Sequence, residues 1–127
     1  MLAIAKLRKL HISPRKTNLV ASLIRGMNAQ KALQVLQYTQ KKSAQPISKL
    51  LKSAIANYQQ QQKDKTSPEQ LYIQTVHVGS AGILKRIKPR ARGTANHIRK
   101  RHSHISITVA PIQTSTTPQP KKTPKKK

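Results

Sequence analysis

The sequence has no cysteine, no phenylalanine and no tryptophan, and only two acidic residues against 26 lysines and arginines. Without cysteine there is no disulfide framework, no cysteine-based zinc site and no thiol nucleophile. The same absence fits a reducing compartment. Tyr38, Tyr58 and Tyr72 are the only aromatics, so any core must be aliphatic. A platform on which bases stack is not expected: Tyr58 fits a buried helix face, and Tyr38 and Tyr72 fall within or beside predicted elements. Asp64 and Glu69 are the only carboxylate side chains. Both lie in or next to a predicted loop with no apolar pocket to tune them, so an enzyme is the weakest reading. No apolar run approaches the roughly 18 residues of a membrane span. Met1 to Lys6 lacks the basic and apolar pattern of a secretory signal. A soluble intracellular protein without a membrane partner is expected.

What is present is positive charge. The formal net charge is +24 over 127 residues, with a pI of 11.6. The length fits one domain and leaves no room for separate cofactor and substrate domains. A free domain so charged repels itself, which calls for an anionic partner. The pI is that of a nucleic-acid binder. Hydrophobic residues make up 35%, enough for a small core.

Residues 1–110 carry the predicted fold. Ser13 and Pro14 open a first helix as N-cap and first helical residue. Its apolar face is expected at Leu19, Val20, Leu23 and Ile24, with Gly26 at the C-terminal cap. Asn28 caps a second helix with Ala29, Ala32, Leu33 and Leu36 on one side. A third helix is expected from about Lys42 to Gln60, because Ile47, Leu50, Leu51, Ala54, Ile55 and Tyr58 follow the helical repeat without a gap. Gln59 to Pro68 reads as a polar surface loop. Strands are predicted at Leu71 to Val78, at His104 to Val109, where apolar and polar residues alternate, and near Ala3 to Leu10. The fold class is α+β: three helices on a small antiparallel sheet of about three strands. From Pro111 to Lys127 the chain holds four prolines, five lysines and little that is apolar. That composition predicts a disordered basic tail, either a solvated end or a loose phosphate-binding arm.

Between the two late strands runs Gly79 to His102. From Lys85 to Arg101 it has eight lysines or arginines and no acid. It is too long for an ordinary loop. It reads as a protruding hairpin over residues 79–103, turning around Arg90 to Ala95, with arms of about ten residues reaching roughly 30 Å. Such a ribbon is marginal alone and calls for anionic surroundings. The bland alternative is a disordered basic loop that raises solubility, but charges placed for that purpose mix both signs. Arg15 and Lys16 stand in the first turn of the first helix, where cations oppose the helix dipole. A phosphate there would be held by free amides and both cations; without one, the face is merely solvated. Lys6, Arg8, Lys9 and Arg25 would widen this patch. Recognition by many cations and few aromatics suits the backbone and shape of folded RNA, or architectural DNA binding.

Three stretches resemble one family. Ser13 to Gly26 (SPRKTNLVASLIRG) is similar to the opening helix of the twenty-second protein of the large ribosomal subunit series, bacterial or organellar type. Lys52 to Asn57 (KSAIAN) is similar to the end of that family's long helix. Leu84 to Gly93 (LKRIKPRARG) is similar to its hairpin tip, followed by Ile98 to Arg101 and Ser103 to Ile105. The resemblance covers roughly residues 3–110. It implies a structural constituent of the large subunit, in a cytoplasmic or organellar ribosome, that binds and helps assemble rRNA. The globular part would sit near the peptide exit, and the hairpin would line the exit tunnel. Partners would be several domains of large-subunit rRNA, neighbouring ribosomal proteins including another tunnel-lining one, and the nascent peptide in passing. By position, rRNA would be bound by Lys6, Arg8, Lys9, Ser13, Arg15, Lys16, Asn18 and Arg25. Along the hairpin the binding residues would be Lys85, Arg86, Lys88, Arg90, Arg92, Thr94, His97, Arg99, Lys100, Arg101 and His102. The tip, Lys88, Pro89, Arg90, Ala91, Arg92 and Gly93, would face the tunnel. The tail after Ala110 and the glutamine-rich Gln59 to Pro68 depart from the family pattern.

Other classes fare worse. His102 and His104 have a metal-compatible spacing but no evident third ligand, and no acid stands ready to orient a histidine beside Ser103. No cofactor or metal is expected. A membrane-active protein would want Trp or Phe in its apolar stripe. An architectural DNA-binding protein is the remaining alternative.

Overall fold

Helix α3 (Ala44–Gln62) carries the longest apolar stripe, and two strands and one further helix pack on it. Ile47, Leu50, Leu51, Ala54, Ile55 and Tyr58 are all buried, as their helical spacing requires. Pro46 sits in the first turn, where its missing N–H has no helical partner to lose. The computed structural model describes residues 2–62 and 67–112. In chain order these form β1 (Ala3–Leu10), α1 (Pro14–Ile24), α2 (Ala29–Tyr38), α3, β2 (Leu71–Pro89) and β3 (Ala95–Pro111), with short 3-10 turns at Pro68–Gln70 and Ala91–Gly93.

The sheet is antiparallel in the order β1-β3-β2. Ile105, Ile107 and Val109 of the central strand β3 are buried, while the alternate His104, Ser106 and Thr108 are half-buried. The helices therefore cover one face only, which is the expected α+β architecture. Helix α3 lies on β1 and β3, α1 on β2 and β3, and α2 against α3. Ala3 and Ala5 are the buried residues of β1. Their short side chains let α3 approach the strand closely.

Both edges of the sheet are covered next to the helices. On β1 the Asn57 side-chain amide donates to the Ile4 carbonyl at 3.2 Å. On β2 the turn between α1 and α2 pairs with the strand: Gly26 N–H donates to Ile73 O at 3.0 Å, and Ile73 N–H donates to Met27 O at 2.9 Å. Gly26 has φ +71°, the left-handed conformation that the end of α1 requires of it. Arg25 Nε donates to Val76 O at 3.2 Å. These contacts satisfy backbone groups that an exposed edge would offer to another chain.

Several expectations are corrected. Leu19 and Leu23 do not face the core; they are 67% and 54% exposed. The buried face of α1 is Thr17, Val20, Ala21 and Ile24, an i, i+3, i+4, i+7 set. Thr17 is held there by a buried hydroxyl pair with Ser103, 3.2 Å apart. Ser13 is the N-cap residue, but its side chain makes no capping bond; its carbonyl accepts from the Thr17 N–H and hydroxyl instead. The loop expected from Gln59 begins later, because α3 runs on through Gln62, and glutamine is a good helix former. Residues 63–66, with Asp64, lie outside the described residues. β2 does not stop at Val78 but continues as one strand to Pro89. Pro111 ends β3 opposite Leu71, and Ile112 N–H donates to Gln70 O at 2.8 Å. The rest of the expected tail, residues 113–127, lies outside the described residues.

Leu51 is fully buried at the centre of the α3 stripe. Leu51→Ala should cost about 2–5 kcal/mol of stability, read as a lower urea midpoint by circular dichroism. No residue from Gly82 to Arg101 is buried. Removing Lys85 to Arg101 and closing the gap with a short turn should therefore leave the helical dichroism of the domain intact; its collapse would mean that the hairpin supports the core.

Candidate nucleic-acid interface

The hairpin leaves the sheet through a fixed neck. Pairing between β2 and β3 slips between Ser80 and Ile83, a bulge opposite His102. His102 fills this place, only 7% exposed. Its Nδ1 lies 3.0 Å from Gly82 O and its Nε2 lies 2.6 Å from His11 Nδ1. A carbonyl can only accept, so a proton is assigned to His102 Nδ1; in the neutral ring its Nε2 then accepts from His11 Nδ1–H. The two rings also meet edge to face, with centroids 4.6 Å apart. Beside them, Ser103 is buried against Thr17. The base of the hairpin is thus tied to the β1–α1 connection and to α1. His102, expected among the binding residues, is turned inward and positions the hairpin.

Beyond the neck the strands pair regularly from Ile83 opposite Arg101 to Pro89 opposite Ala95, a run of about 20 Å at ~3.4 Å per residue. Cross-strand partners share a face. One face carries Ile83, Lys85, Ile87, His97, Arg99 and Arg101; the other carries Leu84, Arg86, Lys88, Asn96, Ile98 and Lys100. Both faces are cationic and both are exposed. Lys85 stands directly opposite Arg99, a pairing of like charges that destabilises an isolated ribbon. The tip is closed by its own hydrogen bonds: Arg90 N–H to Thr94 O at 2.8 Å and Thr94 Oγ1 to Ala91 O at 2.9 Å. Arg92 and Gly93 take left-handed φ values of 58° and 70° to make the turn. Arg90 and Arg92 project from it exposed.

The second cationic group is split by the sheet. Lys6 and Arg8 belong to the face that the helices leave open. There they join Lys9, His77, His104 and Ser106 around a shallow cavity of roughly 590 Å³. Lys6, Ser106 and His77 form one cross-strand row. Lys9 sits at an irregularity of β1 with φ 54°, and its N–H donates to His104 Nδ1 at 3.1 Å. Arg15, Lys16 and Asn18 are exposed on α1, on the covered side. Arg25 is partly committed: besides Val76 O, its Nη2 donates to Asn18 Oδ1 at 2.9 Å. The two groups flank the hairpin neck, since Leu10 pairs with Ser103 and Thr17 bonds to it. His77, His104 and Ser106 share the open-face cavity with the cations, and the alternation of His104 to Val109 by itself turns His104 and Ser106 away from the core.

Glu69 is the only acid among the described residues. It lies just before β2, at the end of the sheet opposite the hairpin. Among the described residues no group of three His, Asp or Glu could hold a metal ion, and no helix is long and apolar enough to cross a membrane.

Residues 5–110 match the family described as ribosomal protein L22p/L17e. The chain is 46% identical over 106 residues to the large ribosomal subunit protein uL22 of Pelobacter propionicus, an alignment spanning 84% of this chain and 94% of the relative. It is 43% identical over 113 residues to that of Geobacter sulfurreducens, spanning 89% of this chain and all of the relative. To that of Porphyromonas gingivalis it is 41% identical over 105 residues, spanning 83% of this chain and 78% of the relative. A ribbon cationic on both faces, a sheet face open beside it and three bacterial relatives aligned along nearly the whole domain lead to one assignment: the chain belongs to the ribosomal protein L22p/L17e family, a structural and non-enzymatic constituent of the large ribosomal subunit.

Proposed function

We propose that this large-subunit constituent binds and helps assemble rRNA in the cytoplasmic ribosome, with its hairpin threaded between RNA segments and the tip, Lys88 to Gly93, lining the nascent-peptide exit tunnel. The observation that carries this reading is the distribution of charge on the hairpin. A ribbon lying on a surface would need cations on one face. This one has them on both, with Ile83, Leu84, Ile87 and Ile98 exposed among them. Surroundings of folded RNA would supply phosphates to both faces and sugar or base surfaces to the apolar side chains. They would also remove the like-charge strain between Lys85 and Arg99.

Around the neck, Lys6, Arg8 and Lys9 on the open sheet face and Arg15 and Lys16 on α1 would grip phosphates on either side of the hairpin base. Two cations in the first turn of α1, with no acid there, oppose the helix dipole unless an anion sits between them. Neighbouring large-subunit proteins, one of them at the tunnel, and the passing nascent peptide complete the proposed partners.

Sedimentation of a lysate through a sucrose gradient with a high-salt wash tests the reading. The protein should travel with the large subunit and leave it only when rRNA is digested. Migration at the top of the gradient, or tighter binding to duplex DNA than to rRNA at equal salt, would overturn it in favour of an architectural DNA role. Arg15→Ala with Lys16→Ala should weaken rRNA binding and lower the slope of log affinity against log salt by about 2. An unchanged slope would remove α1 from the interface.

A further inference from the structure

His104 stands on the open face of the central strand, between Lys9 of β1 and Gly79 of β2. The Lys9 N–H can only donate, so His104 Nδ1 accepts, and in the neutral ring the proton stands on Nε2. Nε2 is then a hydrogen-bond donor at the cavity that His104 lines. Two residues along β3, Ser106 lines the same cavity with a hydroxyl that both donates and accepts. Among the described residues, Ser106 and its row partners Lys6 and His77 make no side-chain hydrogen bond. Lys9 takes φ 54°, a left-handed value that lysine adopts only where its surroundings hold it. The bond to His104 holds it, so the imidazole and the start of the Lys9 side chain are fixed relative to each other.

We infer that this cavity reads the ribose of RNA: Ser106 and the His104 Nε2–H bind one 2′-hydroxyl, and Lys6 and Lys9 hold the phosphates on either side of it. The inference rests on the rRNA-binding reading and adds to it the residues that tell RNA from DNA. Phosphate contacts alone cannot do so, because both nucleic acids carry the same backbone charge. The 2′-hydroxyl is the group that differs, and it donates and accepts at one oxygen. The cavity offers the matching pair, a donor at His104 and a hydroxyl at Ser106. Residues two apart on a strand stand about 6.8 Å apart, and two hydrogen bonds of about 2.8 Å meeting at one oxygen span most of that distance. The cations are placed to match: Lys6 pairs with Ser106, and Lys9 bonds to His104. Gly79, opposite His104, adds no side chain, so a sugar can lie against the strands there. No acid lines the cavity to repel the phosphates.

The test uses the full chain and two labelled duplexes of one sequence, RNA and its 2′-fluoro analogue, titrated at equal salt and followed by anisotropy. The fluoro duplex keeps the A-form shape and the phosphates but has no hydroxyl to donate. Wild type should bind the RNA about ten-fold more tightly, the effect of one lost polar contact. Ser106→Ala should bring the ratio close to one. So should His104→Asn, whose side-chain oxygen can still accept from the Lys9 N–H but which has no donor where Nε2 stood. Lys6→Gln should weaken both duplexes together and lower the slope of log affinity against log salt by about 1. Equal affinity of wild type for the two duplexes would overturn the inference, and this outcome does not depend on any variant folding. The same preference surviving in both variants would place ribose recognition elsewhere and overturn this site. If the chain still travels with the large subunit while the wild-type ratio is one, only this site falls. If it binds neither duplex nor the large subunit, the proposed function falls with it.

Discussion

The sequence carries twenty-six cationic side chains against two acids, and their mutual repulsion is the constraint that the rest of the structure answers. The core cannot include the charges, so it is built from small and aliphatic residues at tight spacing. Alanines at positions 3, 5, 21, 29, 32 and 54 are buried, and Ile47, Leu51, Ile73, Ile105 and Ile107 fill the space between them. Close packing of such side chains, with Tyr58 among them, lets a sheet of three strands and three helices hold together without phenylalanine or tryptophan. The cations are left to the open sheet face, the outer faces of the helices and the hairpin.

A sheet so small also has little means of protecting its edges. Here the connections do it. The Gly26–Met27 turn pairs with β2, and Asn57 reaches β1 from α3. At the opposite end the protection stops, and β2 and β3 continue past a bulge as a bare ribbon. The His11–His102 contact and the Thr17–Ser103 pair lie at that boundary. They mark where burial within the chain ends and the exposed ribbon begins. In the proposed rRNA surroundings, a hairpin that is poorly supported alone would be no handicap.

The local elements were legible because each leaves a one-dimensional pattern. The stripe of α3 and the alternation of Ile105, Ile107 and Val109 need nothing beyond helical and strand periodicity. Asn28 caps α2 through its side chain on Gln30 N–H, as its residue type foretells. The hairpin was legible as charge of one sign with no core to join. Harder to read was the rotation of α1. Leu19 and Leu23 outrank Thr17 and Ala21 in hydrophobicity, yet the helix turns the smaller pair inward, where Thr17 finds the hydroxyl of Ser103. The exposure of Tyr38 and the groove between α2 and α3 are likewise hidden from the sequence, since both depend on how the helices pack.

By itself, then, the sequence determined the elements, the aliphatic core and the uniform positive charge of the hairpin, because periodicity and charge are properties of neighbouring residues. Only the tertiary structure decided which of the cations stand together. Lys6 and Arg15 are close in the chain but end on opposite sides of the sheet, while Lys6 shares its face with His77 and His104. His11 meets His102 across 91 residues. Such partnerships follow from strand register, from the bulge at the neck and from the turn of each helix on the sheet. Those are settled by packing the whole core at once, and no single stretch of chain contains them.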